Sequence, residues 1–553
     1  MTQPIELPTG YYLDNFKALI EFVSQHYSWL ITTSEQNFFK TFQELDIYSQ
    51  RLYVRLLSRK GVPSSRGSLF RLGKLNYGEI ESIESAAAVL DRSGLLCYNP
   101  VLTVQEYLPL FTKAELFAVA PSGLPKSLSR PSLEQLLLEE PSSSDWFEKL
   151  LSQHRVLAVH GAEHFQTFKL CYFGNLNQDL TDYVLRDLGL YRYESYPLDK
   201  QNLPFQSRAQ IDQYLLYYQC LELLEEPLLE DAEAIIALSA QLPEGIDGDS
   251  TLARRLDRIR LKLARQLERL NALEQADALY QLCKTPPARE RRARIAVKQG
   301  YDTLALEICE EIIASPMDQA EREFALSFGY RTAKRSGGLN NWQAPHKIQA
   351  PTEVISLAQG ESCVELLVAE HLEGSSGGEC FYVENTLFTG VLGLYIWDIL
   401  FAPVPGAFFN PFQVAPADFR TADFYYSRQA LFSQRLAEIE HESLKSRVLS
   451  TFAEKQGIAN PLVAWEALST ELLEKALDRI PPSHWRSIFN RMLSDITQNR
   501  NGLPDLICFT PFGHYELVEV KGPGDRLQKN QERWLAFFAE EAIPHRVIHV
   551  EWH

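Results

Sequence analysis

Apolar positions recur at helical spacing through most of this chain and give way to strand-like runs only near its end. Between Tyr11 and Lys60 the residues read as helices, with Phe16, Leu19, Ile20 and Val23 on one face. Ser64 to Gly73 is a Ser/Gly/Arg-rich loop, and short helices follow from Leu75 to about Leu138. Pro141-Ser142-Ser143-Ser144 marks another loop, after which Arg155 to Tyr193 is mixed. From about Arg208 to Lys334 the pattern is almost wholly helical, broken at Pro227, Pro243 to Ser250, Pro286-Pro287 and Pro316. Gly337 to Pro351 is a connector. The tail reads differently. Leu506-Ile507-Cys508-Phe509 ends at Thr510-Pro511-Phe512-Gly513, and Tyr515 to Val520 is a second extended run, which together predict a β-hairpin. Asp525 is the expected N-cap of a helix from Arg526 to about Glu540, carrying Leu527, Gln531, Trp534, Leu535 and Phe538 on one face. His545 to Val550 is a last strand, making the tail β-β-α-β. The expected fold is multidomain: mostly α-helical N-terminal and middle regions (1–75, 76–145, 208–335), a mixed region (146–207), and a C-terminal α/β domain (351–553).

Composition narrows the class. The chain has 553 residues, 45% of them hydrophobic, enough for three or four domains. It has no apolar run of membrane-spanning length and no signal-peptide pattern at Met1, so a soluble, cytoplasmic protein is expected, nucleoid-associated if bacterial. Its eight cysteines are scattered without C-x-x-C pairs, which argues for buried thiols over a zinc site or a disulfide framework. The formal net charge is −18, yet Arg51 to Leu75 carries seven Lys/Arg and no Asp/Glu, and Thr251 to Gly300 carries thirteen Lys/Arg against five Asp/Glu. Two basic stretches on an acidic background suggest a localised groove for a polyanion, although basic helix faces are often simply solvated.

The chemistry lies in the hairpin. Gly502-Leu503-Pro504-Asp505 places a carboxylate at the mouth of the first strand, and alternation on the second puts Glu519 and Lys521 on one side, opposite Val518 and Val520. Phosphodiester hydrolysis uses a divalent cation with oxygen ligands, which Asp505, Glu519 and the Val520 carbonyl would supply. Lys521 would orient the attacking water or neutralise charge developing on phosphorus. An isolated E-x-K is more simply a solvated hairpin; the Pro-Asp, the glycine turn and the following helix shift the balance towards a nuclease. Gly374-Ser375-Ser376-Gly377-Gly378 lacks the lysine and spacing of a nucleotide-binding loop and reads as a flexible connection, so no nucleotide cofactor is expected.

GLPDLICF, YELVEVKGPGDRL and KNQERWLAFF together resemble the virus-type replication-repair nuclease module, VRR-NUC, of the PD-(D/E)XK superfamily. Val383-Glu384-Asn385-Thr386-Leu387-Phe388, running into Gly393 to Phe401, resembles the segment before that module in the Fanconi-associated nuclease family, and Tyr48 to Lys60 resembles the family's N-terminal segment. The resemblance implies a restriction-endonuclease-like α/β domain with Mg²⁺ or Mn²⁺, one or two ions. It implies that a glutamate at the start of a helix, here Glu384, completes the metal site; Glu379 competes, and without the resemblance Glu384 is equally well a structural residue near a helix start. No counterpart of the eukaryotic members' ubiquitin-binding zinc finger precedes the helical region, so a shortened, bacterial-type member without recruitment by ubiquitin is expected.

Further candidates follow. Arg51, Arg55 and Arg59 share a helix face suited to a phosphate backbone. Thr112 to Leu116, Gly123 to Lys126 and Ser132 to Leu136 resemble a SAP-type helix-extended-helix unit, with Lys113, Lys126 and Arg130 as its phosphate contacts; a plain helical hairpin reads equally well. The 208–335 region is a helical array by pattern and tetratricopeptide-like by resemblance, its inner surface a possible docking place for a protein partner. The family's pocket for a 5′-terminal phosphate would map to Arg289, Arg291, Arg292 and Arg294. Arg526, Lys529 and Arg533 lie on the neighbouring helix face as candidates to hold DNA phosphates, and Gln531 either braces the site, contacts the scissile strand or is a satisfied core glutamine. The resemblance implies a 5′-flap endonuclease and 5′→3′ exonuclease on branched DNA, supporting interstrand cross-link repair. A four-way-junction resolving nuclease and a non-catalytic DNA-binding scaffold are the alternatives.

Overall fold

In the computed structural model, residues 10–120, 124–125, 127–139, 143–178, 192–224, 230–337, 342–344 and 350–553 are described. Lys126, Pro141, Ser142, Pro227 and most of the 337–351 connector lie outside them. Backbone packing divides the chain into two units: residues 1–190 with 199–215, and residues 191–198 with 216–553.

The first unit opens with three helices, Tyr11–His26, Thr33–Gln43 and Ile47–Leu57. Thr32 and Glu35 form a reciprocal capping box at the second, and Asp46 caps the third through the N–H groups of Tyr48 and Ser49. The expected loop from Ser64 is in part a strand. Strands β1 (Ser68–Arg71), β2 (Leu96–Tyr98) and β3 (Val156–Val159) form an antiparallel sheet in the order β1-β3-β2. All four residues of β3 are buried, so that strand shows no alternation to read, and the other two are too short to show one. The helices Lys113–Val119 and Arg130–Glu139 sit where the helix-extended-helix unit was expected.

In the second unit the helices Ser250–Arg269, Leu273–Gln281, Ala288–Lys298, Asp302–Ala314 and Gln319–Ser336 pack each on the next. Strand β4 (Thr352–Leu357) then begins an α/β fold. It is joined by β5 (Glu379–Tyr382), β6 (Leu506–Phe509), β7 (Tyr515–Lys521) and β8 (His545–Trp552) in a five-stranded sheet ordered β4-β8-β7-β6-β5. β8 runs parallel to β4 and β7, while β6 runs antiparallel to β5 and β7. The expected hairpin and β-β-α-β tail are both present.

Alternation gives this sheet two dry faces. Leu506, Val518, Val520, Ile548 and Val550 pack on Val368, Ala369 and Leu372 of the helix Val364–Ser376. Ile507, Phe509, Tyr515 and Leu517 point the other way, into a larger core with Phe388, Leu392, Trp485, Trp534 and Phe538. The glycine-rich segment read as a flexible connection is instead the end of the Val364–Ser376 helix, stopped by Gly377 in the left-handed conformation.

A second correction concerns the cysteines. Cys380 and Cys508 occupy directly opposed positions on β5 and β6 and are joined as a disulfide. Val383 N–H donates to Asp505 O, so the ladder alternation makes Cys380–Cys508 a non-hydrogen-bonded pair, in which side chains lie closest. Their separation of 128 residues hides this from the sequence. Among the described residues no helix is long and apolar enough to cross a membrane.

Candidate active site

The register Leu506↔Val518 sets Asp505, one position before β6, opposite Glu519. Both point to the same face as Ile507 and Leu517, at the edge of the larger core. Asp505 is held by the main chain of β7, the Val520 N–H donating to Oδ2 at 2.8 Å. Lys521 Nζ lies 2.8 Å from Glu519 Oε1. All three are buried, Asp505 at 7%, Glu519 at 1% and Lys521 at 8% exposure. The approach to Asp505 depends on Gly502, at φ +85° with its α-carbon against Asn530: an added Cβ would meet the Asn530 side chain at 2.8 Å and its main-chain carbonyl carbon at 3.0 Å.

Glu384 joins them from the turn after β5. The expected place at a helix start is corrected, for the helix runs Leu387–Tyr395, and Glu384 stands three residues earlier, before Asn385 at φ +52°. Its Oε2 accepts from the Tyr382 hydroxyl at 2.5 Å and its Oε1 from the Asn385 amide at 3.2 Å. Asn385 also accepts the Leu503 N–H at 3.2 Å, tying this turn to the loop that carries Asp505. A cleft opens beside it, lined by Asn385, Thr389, Leu462, Arg500 and Asn501.

The charges do not balance. Burial pushes the Glu519 carboxyl up to about 8, the neighbouring Asp505 charge adding to the rise and Lys521 opposing it. Burial likewise raises Asp505 to about 6, against the pull of the Val520 N–H and Lys521, with Glu384 and Glu365 adding to the rise. Glu365, second residue of the Val364–Ser376 helix, is a neighbour that no motif in the sequence marks. Nor does one mark Tyr382, whose hydroxyl is raised by burial and then by its bond to Glu384.

Glu519 Oε1 is buried, and apart from the Lys521 ammonium at 2.8 Å no donor reaches it among the described residues. A buried oxygen acceptor beside further carboxylates fits a hard divalent cation. Among the described residues no three such side chains already converge as a metal shell.

A model of the VRR-NUC domain matches residues 439–552, and one of the FAN1 HTH domain matches residues 10–97. The Fanconi-associated nuclease 1 homolog of Pseudomonas aeruginosa is 36% identical over 98% of this chain and 96% of its own length. The chain belongs to the Fanconi-associated nuclease family. The family's homolog in Oryza sativa subsp. japonica is 24% identical over 95% of this chain and 61% of its own. The crystal structure of paFAN1 bound to 2nt 5′flap DNA with gap is similar over the whole of both chains, at a TM-score of 0.81 and 36% identity.

As a Fanconi-associated nuclease the chain shows its remaining candidates in varied settings. Gln531 is not on the buried stripe. It is half-buried and its Oε1 accepts from Gln528 N–H at 2.9 Å, one half of a capping box. That box, and not Asp525, starts the helix at Lys529; Asp525 Oδ2 accepts from Gly522 N–H instead. Arg526 therefore precedes the helix, exposed like Lys529, and Arg533 is half-buried, 3.7 Å from Glu323.

The N-terminal arginines are engaged by their own chain. Arg55 pairs with Glu79 at 2.6 Å and stacks 3.9 Å from the Tyr12 ring, Arg51 donates to Glu79 O at 2.9 Å, and Arg59 to the Tyr77 hydroxyl at 3.0 Å. Lys113 opens the helix capped by Thr112, and Arg130 pairs with Glu134 at 2.8 Å. Of the expected phosphate pocket, Arg289 is paired with Glu321, Arg291 with Glu268, Arg292 with Asp277 and Arg294 with Glu290. Residues 289 to 294 span well over a full helical turn, so these four guanidiniums hold separate carboxylates and do not converge on one point.

Proposed function

We propose that this Fanconi-associated nuclease is a structure-specific deoxyribonuclease, dependent on Mg²⁺ or Mn²⁺, that incises 5′-flap DNA near the junction and trims 5′→3′ in short steps. The observation that carries the reading is the meeting of Asp505, Glu519 and Lys521 in one buried, charge-unbalanced pocket. Glu384, Asp505, Glu519 and the Val520 carbonyl are the residues that would hold the metal. When bound, a divalent ion supplies Lewis-acid polarisation of the phosphoryl group and acidifies a water.

The chain's own groups do the rest. Val520 N–H fixes the Asp505 carboxylate, and Lys521 places an ammonium where negative charge grows on phosphorus. Water attacks in line, the bond from phosphorus to O3′ breaks, and the products are a 3′-hydroxyl and a 5′-phosphate. The likeness to a relative crystallised on 5′-flap DNA supports the substrate. Cytoplasmic action in interstrand cross-link repair, nucleoid-associated if the source is bacterial, fits that substrate.

The test is a 5′-flap duplex labelled at either end, with Mg²⁺ or Mn²⁺, comparing the native chain with Asp505→Ala. Metal-dependent incision by the native chain alone is expected. Preference for a four-way junction would change the substrate assigned, and binding without cutting by both proteins would overturn the enzyme.

A further inference from the structure

The helix Ser250–Arg269 carries Arg254, Arg255, Arg258, Arg260, Lys262, Arg265 and Arg269 and only two carboxylates. Leu252, Leu256, Ile259, Leu263 and Leu267 bury one face. Both carboxylates are turned inward. Asp257, 4% exposed, accepts from Lys284 N–H at 2.7 Å and from Arg260, and Glu268 holds Arg265 and Arg291. Arg254 pairs with Asp423 at 2.6 Å, and Arg255 donates to the Tyr218 hydroxyl at 3.0 Å.

What remains facing water is cationic. Arg258, Lys262, Arg265 and Arg269 are all exposed. Their spacing puts them within roughly 60° of arc and about 16 Å along the axis. Arg258 and Lys262 make no ion pair among the described residues, and Arg269 has only a 3.5 Å contact with Gln266 Oε1. Solvated helix faces ordinarily interleave Glu with Lys or Arg at i,i+4, because like charges at that spacing repel. A same-sign stripe on a chain of net charge −18 is therefore arranged for an external polyanion. The helix is fastened at its start to the α/β part of the unit, Ser250 and Arg254 both engaging Asp423.

We infer that this stripe is a rail for the sugar-phosphate backbone of one duplex arm of the DNA substrate, read by charge and not by sequence. The inference rests on the flap-nuclease reading and adds a contact surface to it. Phosphates on one strand advance about 3.4 Å along a duplex, so four cations over this length meet a short run of one backbone.

The experiment measures binding of a labelled 5′-flap duplex in EDTA across a salt series. The native chain is compared with Arg258→Gln/Lys262→Gln/Arg269→Gln and with the charge-preserving Arg258→Lys/Lys262→Arg/Arg269→Lys. Loss of three phosphate contacts should reduce the log–log salt slope by about 2 to 3 and weaken binding on the order of tenfold near 0.1 M salt. The charge-preserving variant should bind like the native chain. Unchanged slope and affinity in the glutamine variant would overturn the rail, as would an equal loss in the charge-preserving one. If the native chain itself neither binds nor cuts the flap, the flap-nuclease reading fails first, and the two failures are told apart.

Discussion

The Tyr382 hydroxyl stands 2.5 Å from Glu384 Oε2, so a ring at the end of β5 steers a carboxylate that would ligate the metal. Tyr382→Phe keeps the ring and removes the donor. Mn²⁺ affinity, measured directly by calorimetry, should fall on the order of tenfold, as when an outer-shell partner of a metal ligand is lost. Binding of flap DNA in EDTA should not change; an unaltered Mn²⁺ affinity would show that Glu384 needs no such support.

Alanine at Asp505, Glu519 or Lys521 should lower cleavage by on the order of 10³-fold or more, since the first two remove a carboxylate that would hold the metal and the third removes the ammonium facing the reacting phosphate. Gel-shift affinity for the same flap in EDTA should stay within about twofold, because the affinity for DNA comes mainly from phosphate contacts outside the pocket. Loss of binding in all three variants would mean the pocket holds DNA and does not cut it.

The raised carboxyls make stability depend on pH in a stated direction. An unfolded Glu titrates near 4.3, whereas Glu519 in the fold is pushed up to about 8, so between those values the folded chain holds the extra proton. Stability in chelator should therefore fall as pH rises from about 5 to 8, with Asp505, raised to about 6, contributing over the lower part of that window. Glu519→Gln should flatten this slope and raise the Tm at pH 8 in EDTA. Adding Mn²⁺ should stabilise the native chain more at pH 8 than at pH 6. A native slope of the opposite sign, compared with Glu519→Gln by thermal denaturation, would contradict the burial argument.

How much of this was legible beforehand depends on distance along the chain. The hairpin and the shared face of Glu519 and Lys521 follow from alternation over residues 506–521, and both are present; the register is seen only in the structure. The helix start was misread by a few residues, because Asp525 and Gln528 are both able to cap and only the structure shows Gln531 answering Gln528. Arg55 looked free because its partner Glu79 is 24 residues away, and Cys508 looked unpaired because Cys380 is farther still. Glu365 reaches the site through the packing of a helix on the sheet, which no local pattern encodes.

A buried ion pair outside the site offers a stability control. Arg428 Nη1 lies 2.7 Å from Asp418 Oδ2, and the Arg428 side chain is 0% exposed. Asp418→Ala leaves that guanidinium in the core without its counter-charge and should cost about 3–5 kcal/mol. Urea denaturation would measure this directly; a loss under about 1 kcal/mol would mean that its main-chain acceptors, the carbonyls of Ile399 and Phe424, suffice.

One face of β7 passes from Tyr515 and Leu517, in the hydrophobic core, to Glu519 and Lys521, in the site, within seven residues. The strand thus spans a dielectric gradient: the same backbone that excludes water at one end sets the strength of every charge interaction at the other. Loosening the packing around Leu517 would let water reach Glu519, lower its carboxyl towards the ordinary range and weaken the drive to take up a cation. A substitution far from any reacting atom would then show itself first as an altered metal requirement, before the protein lost its shape.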